Sequence, residues 1–84
     1  MKTAFTPRAR REVSDIAAFY AQEDRRLGVA FIEAFERVLT LLVDNPQLGR
    51  VVSSDFRRVV VSGFPYNVYY IVDGQREIIE VSAV

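Results

Sequence analysis

The chain contains no cysteine and no histidine. Without cysteine there is no disulfide framework and no thiolate nucleophile, and without histidine as well, the usual zinc sites and His-based triads fall away. Lysine is nearly missing too: of 11 basic residues only Lys2 is a lysine, and the rest are arginine. Arginine suits planar, bidentate contacts to carboxylate or phosphate, although codon bias gives the same count. No apolar run approaches the about 18 residues of a membrane span, and the amino terminus lacks the charged-then-apolar pattern of a secretory signal. The expected location is the cytoplasm, with no membrane partner. Eleven acidic residues balance the 11 basic ones to a formal charge of zero. The broad basic field of a nucleic-acid-binding domain is absent, so no direct sequence-specific nucleic-acid binding is expected.

Catalytic constellations are equally scarce. No sequence pattern brings Asp44 and Asp55 together, Glu77 and Glu80 point to opposite faces of a strand, and Ser53 and Ser54 have no evident base. There is no glycine-rich phosphate loop. No catalytic residue, metal or cofactor is therefore expected.

What the chain does have is apolar patterning. Its 84 residues, half of them hydrophobic, make one domain spanning 1–84 with a single core. After a short extended lead-in, "KTAF", Thr6-Pro7 reads as an N-cap followed by proline at the first helical position. Val13, Ile16, Ala17 and Tyr20 then give a helical stripe ending near Glu23-Asp24. A second helix runs from about Leu27 to Val43. Leu27, Phe31, Ala34, Val38, Leu41 and Leu42 lie on one face, with Ile32, Phe35 and Leu39 beside it. That arc is wide enough to meet both the first helix and a sheet, or to leave part of itself to a partner. Asn45-Pro46 stops this helix, and "PQLGRVVSSD" reads as a loop. Three strands follow: 56–61, 65–72 and 76–84. Ser62-Gly63 and Asp73-Gly74 mark the turns of an antiparallel meander. In the second of these strands Phe64, Tyr66, Val68, Tyr70 and Val72 share a face. In the last, Glu77, Ile79, Val81 and Ala83 oppose Ile78, Glu80, Ser82 and Val84.

The candidate binding residues are basic and aromatic. Arg50, Arg57 and Arg58 can gather positive potential on one rim, but the adjacent pair must split between faces, one of them turning toward the helices or a buried ion pair. Arg58, positioned by its strand, is expected to make fixed contacts and to matter more than Arg8, Arg10 or Arg11. Those three crowd the positive end of the first helix, where each costs roughly 0.3–1 kcal/mol if exposed, so they are either simply solvated or face an anionic partner. Tyr69 is a candidate stacking residue.

The order strand, helical hairpin, three-stranded meander comes with specific wording: "NP.LGR", "RRVVV", "GFPYNVYYIVD" and a closing "IIEVSAV". Pro46, Gly49, Arg50, Arg58 and the Phe64-Pro65-Tyr66…Tyr70 phrase are its most specific part. Over essentially the whole chain this resembles the ParE branch of the RelE/ParE toxin superfamily. The resemblance implies an α+β fold, β-α-α-β-β-β, with the N-terminal strand and helical hairpin packed on an antiparallel sheet. It also implies a toxin of a type II toxin–antitoxin module that inhibits DNA gyrase and is neutralised by a cognate ParD-like antitoxin in a hetero-oligomer. Two alternatives stand beside it: a RelE-like ribosome-dependent mRNA endonuclease, and a non-toxic antitoxin-binding module. On this reading the target-binding candidates are Arg50, Arg57, Arg58 and Tyr69. Phe19, Ile32, Phe35 and Leu39 are candidates for the antitoxin side. Relatives usually continue into a short basic tail where this chain ends at Val84, so the expectation is intact antitoxin binding with weakened toxicity.

Overall fold

The computed structural model describes residues 1–84. Strand β1 (Lys2–Phe5) is followed by helices α1 (Pro7–Glu23) and α2 (Arg25–Asp44), then strands β2 (Arg50–Ser53), β3 (Phe56–Val60), β4 (Asn67–Asp73) and β5 (Ile78–Ala83). The α+β fold and its helical hairpin are as expected. One strand is added, because β2 lies in the segment read as a loop; its Arg-Val-Val-Ser has no alternating pattern, and all four residues are exposed. The five strands lie in the order β1-β5-β4-β3-β2. The sheet is mixed rather than wholly antiparallel, since β1 runs parallel to β5 with Phe5 opposite Val81.

Thr6 sets the start of α1. Its Oγ1 accepts from the Ala9 amide at 3.1 Å and donates to the Ser82 carbonyl at 3.0 Å, while its own amide donates to the Val81 carbonyl. One side chain therefore caps the helix and ties it to the last strand. Asp24 alone separates the two helices. Its extended backbone ends α1, its amide bonding the Tyr20 carbonyl at 3.0 Å, and its carboxylate accepts from the Arg26 amide at 2.8 Å to begin α2. The Arg26 guanidinium on the same carboxylate holds Asp24 below the usual carboxylate range. Beyond this turn the helices touch closely: a Cβ on Gly28 would stand 2.9 Å from the Ala17 carbonyl oxygen. Only glycine permits that approach.

Both helices cover one face of the sheet, and the core lies between. Ala9 and Ile16 from α1 and Phe31, Ala34, Phe35, Val38 and Leu42 from α2 meet Val61, Val68, Tyr70, Ile79 and Val81. Leu27 and Leu41, expected on the core face, are exposed. The buried arc centres on Phe31, Val38 and Leu42; Leu41 falls at its margin, Leu27 sits in the first turn, and Phe35 takes a place inside.

The connections are longer than the sequence suggests. Between β3 and β4 the Val61 amide bonds the Tyr66 carbonyl, and β4 starts only at Asn67, since Pro65 has no amide to donate. Phe64 and Tyr66 fold against the core from this loop. At the next turn the Asp73 carboxylate accepts from the amides of Gln75 and Arg76, so the connection spans 74–77 and β5 begins at Ile78. An extra residue in β5 shifts the register, with Tyr70 opposite Val81 but Tyr69 opposite Ala83. This bulge reverses the expected faces at the end of the strand, and Val84 packs against the core.

Two outcomes test these ties. Thr6→Val keeps the shape but removes the cap, and should cost about 1 kcal/mol in urea unfolding. Because the folded Asp24 carboxyl titrates below its unfolded value, its contribution is present above the unfolded range and is lost as pH falls through the folded value. Asp24→Asn should therefore flatten the acid limb of the stability profile.

Candidate functional site

Tyr70, fully buried on β4, carries the molecule's most tightly specified polar contact. Its hydroxyl donates to the Pro46 carbonyl at 2.8 Å and accepts from the Gly49 amide at 2.8 Å. A Cβ on Gly49 would stand 2.5 Å from that oxygen, so the loop passes the phenol only as glycine. Arg57 braces the same loop from β3, its Nη1 donating to the Gly49 carbonyl at 2.8 Å and to the Gln47 carbonyl at 3.3 Å. A buried tyrosine needs a partner for its hydroxyl, which is the signal in the sequence for this latch; alternation alone sets Tyr70 on a face with Val68 and Val72 and does not name the partner.

The split between Arg57 and Arg58 is resolved. Arg57 lies on the Tyr70 side, paired across strands with it, and it meets carbonyls rather than a buried carboxylate. The fixed side-chain contacts expected of Arg58 belong to Arg57, while the Arg58 side chain makes no hydrogen bond or ion pair. Of the four residues expected to face a target, the sheet brings three together. Arg50 pairs with Arg58, and Arg58 with Tyr69, in one row across β2, β3 and β4 on the face away from the helices. Arg58 and Tyr69 are half-buried and Arg50 is exposed. Two like charges directly opposite are unfavourable without an anion to share, and the two ion pairs in the molecule, Arg8–Glu12 and Arg26–Asp24, lie elsewhere. Phe56 and Ile71, paired in the next row, extend this face with apolar surface.

The opposite side of the molecule offers a different surface. Phe19 is 58% exposed and stands edge-on to Tyr20, with ring centroids 5.4 Å apart. Burial and the neighbouring Tyr66 phenol push Tyr20 above the ordinary tyrosine value. Two adjoining grooves, each about 440 Å³, run along the hairpin and share Ala17 and Ile32. The first continues past Ala21, Gly28 and Val29 between Arg25 and Glu33; the second reaches Phe5 and Arg10. Ile32 is therefore accessible. Phe35 is 5% exposed and stacked on Phe31 in the core, with an edge that reaches the second groove. Leu39 is half-buried against the core. Arg10 is not simply solvated but lies over the Phe5 ring at 5.6 Å. No group of three or more acidic side chains gathers as a metal site would require.

A helical hairpin on one face of a sheet ordered β1-β5-β4-β3-β2 defines the RelE/ParE class of fold. Within that class the family model for the "ParE toxin of type II toxin-antitoxin system, parDE" matches residues 4–84. The chain belongs to this family. Among solved structures it is similar to a chain of the "Chromosomal ParDE TA system from P. aeruginosa", with a TM-score of 0.81 and 17% identity over 99% of this chain and 91% of that one. A search of curated proteins returns no match.

Removing the Tyr70 hydroxyl leaves the Gly49 amide and the Pro46 carbonyl buried without it, so Tyr70→Phe should destabilise the fold by about 1–3 kcal/mol in urea unfolding. Arg57→Ala should weaken the same loop. Arg58→Ala should leave the unfolding midpoint nearly unchanged; an equal loss for Arg57 and Arg58 would contradict their different surroundings.

Proposed function

We propose that this type II toxin inhibits DNA gyrase and is neutralised by a cognate ParD-like antitoxin that docks on the helical side. The observation that carries the reading is the row Arg50–Arg58–Tyr69 on an uncovered sheet face, two arginines held side by side with neither in an ion pair. Membership of the ParE family supports gyrase as the target whose anionic groups meet that row. The antitoxin side follows from Phe19, Ile32 and the grooves along the hairpin, with half-buried Leu39 about two turns beyond Ile32 on α2. An amphipathic helix laid in such a groove buries apolar side chains worth roughly 1.5–3 kcal/mol each. RelE-like cleavage of mRNA is less well supported, because general acid–base work is most often done by histidine and the chain has none.

Expression with paired reporters for DNA damage and for translation tests the target. Gyrase-dependent DNA breaks should rise while translation continues. Transcript cleavage on the ribosome would overturn the reading in favour of a nuclease, and neither response would leave an antitoxin-binding module. With purified gyrase, Arg50→Glu together with Arg58→Glu should weaken inhibition about tenfold or more, as expected for contacts to charged groups worth about 1.5–3 kcal/mol. Arg8→Ala and Arg11→Ala should not. On the other side, Phe19→Asp with Ile32→Asp should lower antitoxin affinity about 100-fold or more with helix content unchanged. Undiminished affinity would remove the groove as the docking surface.

A further inference from the structure

One flank of β2 has no neighbour. The strand ends the sheet, and all four of its residues are exposed. Around it gather Leu48, Val51, Val52, Phe56 and Val60, between 37% and 57% exposed and half of the ten large apolar side chains that the chain leaves open. Both sheet faces share in this. Val51 pairs with Arg57 on the helical side, whereas Phe56 and Val60 pair with Ile71 and Asn67 on the other. A strand added here would therefore be flanked by apolar surface above and below. Free amides and carbonyls on such an edge form a template for pairing, which proteins commonly blunt with lysine, proline or a bulge. Residues 48–60 contain no lysine and no proline. The irregularity between Val51 and Ser53 is the one such device present.

Charge selects the occupant. Arg50 stands at the start of β2 and Asp55 just past its end, so the edge is positive at one end and negative at the other. A second copy laid antiparallel about a twofold axis through the middle of β2 sets Arg50 opposite the second copy's Ser53 and toward its Asp55. The same happens at both ends. A parallel, in-register neighbour would set Arg50 on Arg50, and a wholly acidic segment would meet Asp55. The far edge of the sheet differs: β1 has only Lys2 exposed and its other three residues half-buried. Pairing of β2 with itself thus closes at two copies, as an isologous contact must.

We propose that this chain self-associates through β2 into a twofold dimer whose sheet runs continuously across both copies. In that pairing the Arg50–Arg58–Tyr69 row stays on the open face and gains the second copy's Ser53 as its next neighbour.

Sedimentation velocity of the full chain, from low micromolar to submillimolar concentration, is the test. The weight-average mass should rise from monomer toward dimer, as a contact at the small end of interface sizes predicts. Val52→Lys should hold the chain monomeric throughout with an unchanged circular dichroism spectrum. Arg50→Asp should weaken association about tenfold, and adding Asp55→Arg should restore it, a result that a misfolded variant does not give. A monomer at every concentration overturns the proposal, as does a dimer indifferent to Val52→Lys and to the charge exchange. Protection of the β2 amides from hydrogen exchange only when the cognate antitoxin is added would assign the edge to the antitoxin and overturn it equally.

Discussion

The Tyr70 hydroxyl joins parts of the molecule that nothing else connects so directly. It sits on a central strand, under the helices, and it both donates and accepts within the loop that carries the chain from α2 back to the sheet. Because a buried phenol must satisfy its hydroxyl, and the buried Gly49 amide must find an acceptor, each fixes the other. The glycine is needed for the close approach and Arg57 holds the carbonyls that remain. From that point the chain can only enter the sheet beside β3, which is how β2 comes to lie at the edge and Arg50 beside Arg58.

Covering one face of the sheet and not the other gives the protein two unlike surfaces. The helical side is apolar and grooved, because Ala17, Ala21 and Gly28 let the helices come close and leave little side chain above them. The open side sets arginines and Tyr69 beside Phe56 and Ile71. The proposed function gives each of these two faces its own partner. The small core that separates them, Phe31 and Leu42 against Tyr70 and Val81, is shared by both.

Much of this was legible in the chain because it is written locally. Thr6-Pro7 announces α1, Asn45-Pro46 ends α2, and the alternation through Val68, Tyr70 and Val72 gives β4 its inward face. The phrase Pro46, Gly49 and Tyr70 marked the family correctly, yet as wording only; that the three touch is a contact across 24 residues, which no local pattern encodes. Strand β2 was invisible for a related reason. A strand exposed on all sides needs no alternation, so it leaves no period to detect.

Local sequence by itself determined the helices, a break between them near Glu23-Asp24, the meander and the absence of thiol and imidazole chemistry, since propensity, capping and composition act within a few residues. Only the tertiary structure decided the rest. Adjacent arginines on a strand must part, but which one turns inward depends on what waits there, and the carbonyls of Gln47 and Gly49 claimed Arg57. Phe35 and Leu41 border the same apolar arc; the sheet's position buried the first and left the second in water. One extra residue in β5 turned Val84 to the core, because register is a property of two strands and not of one.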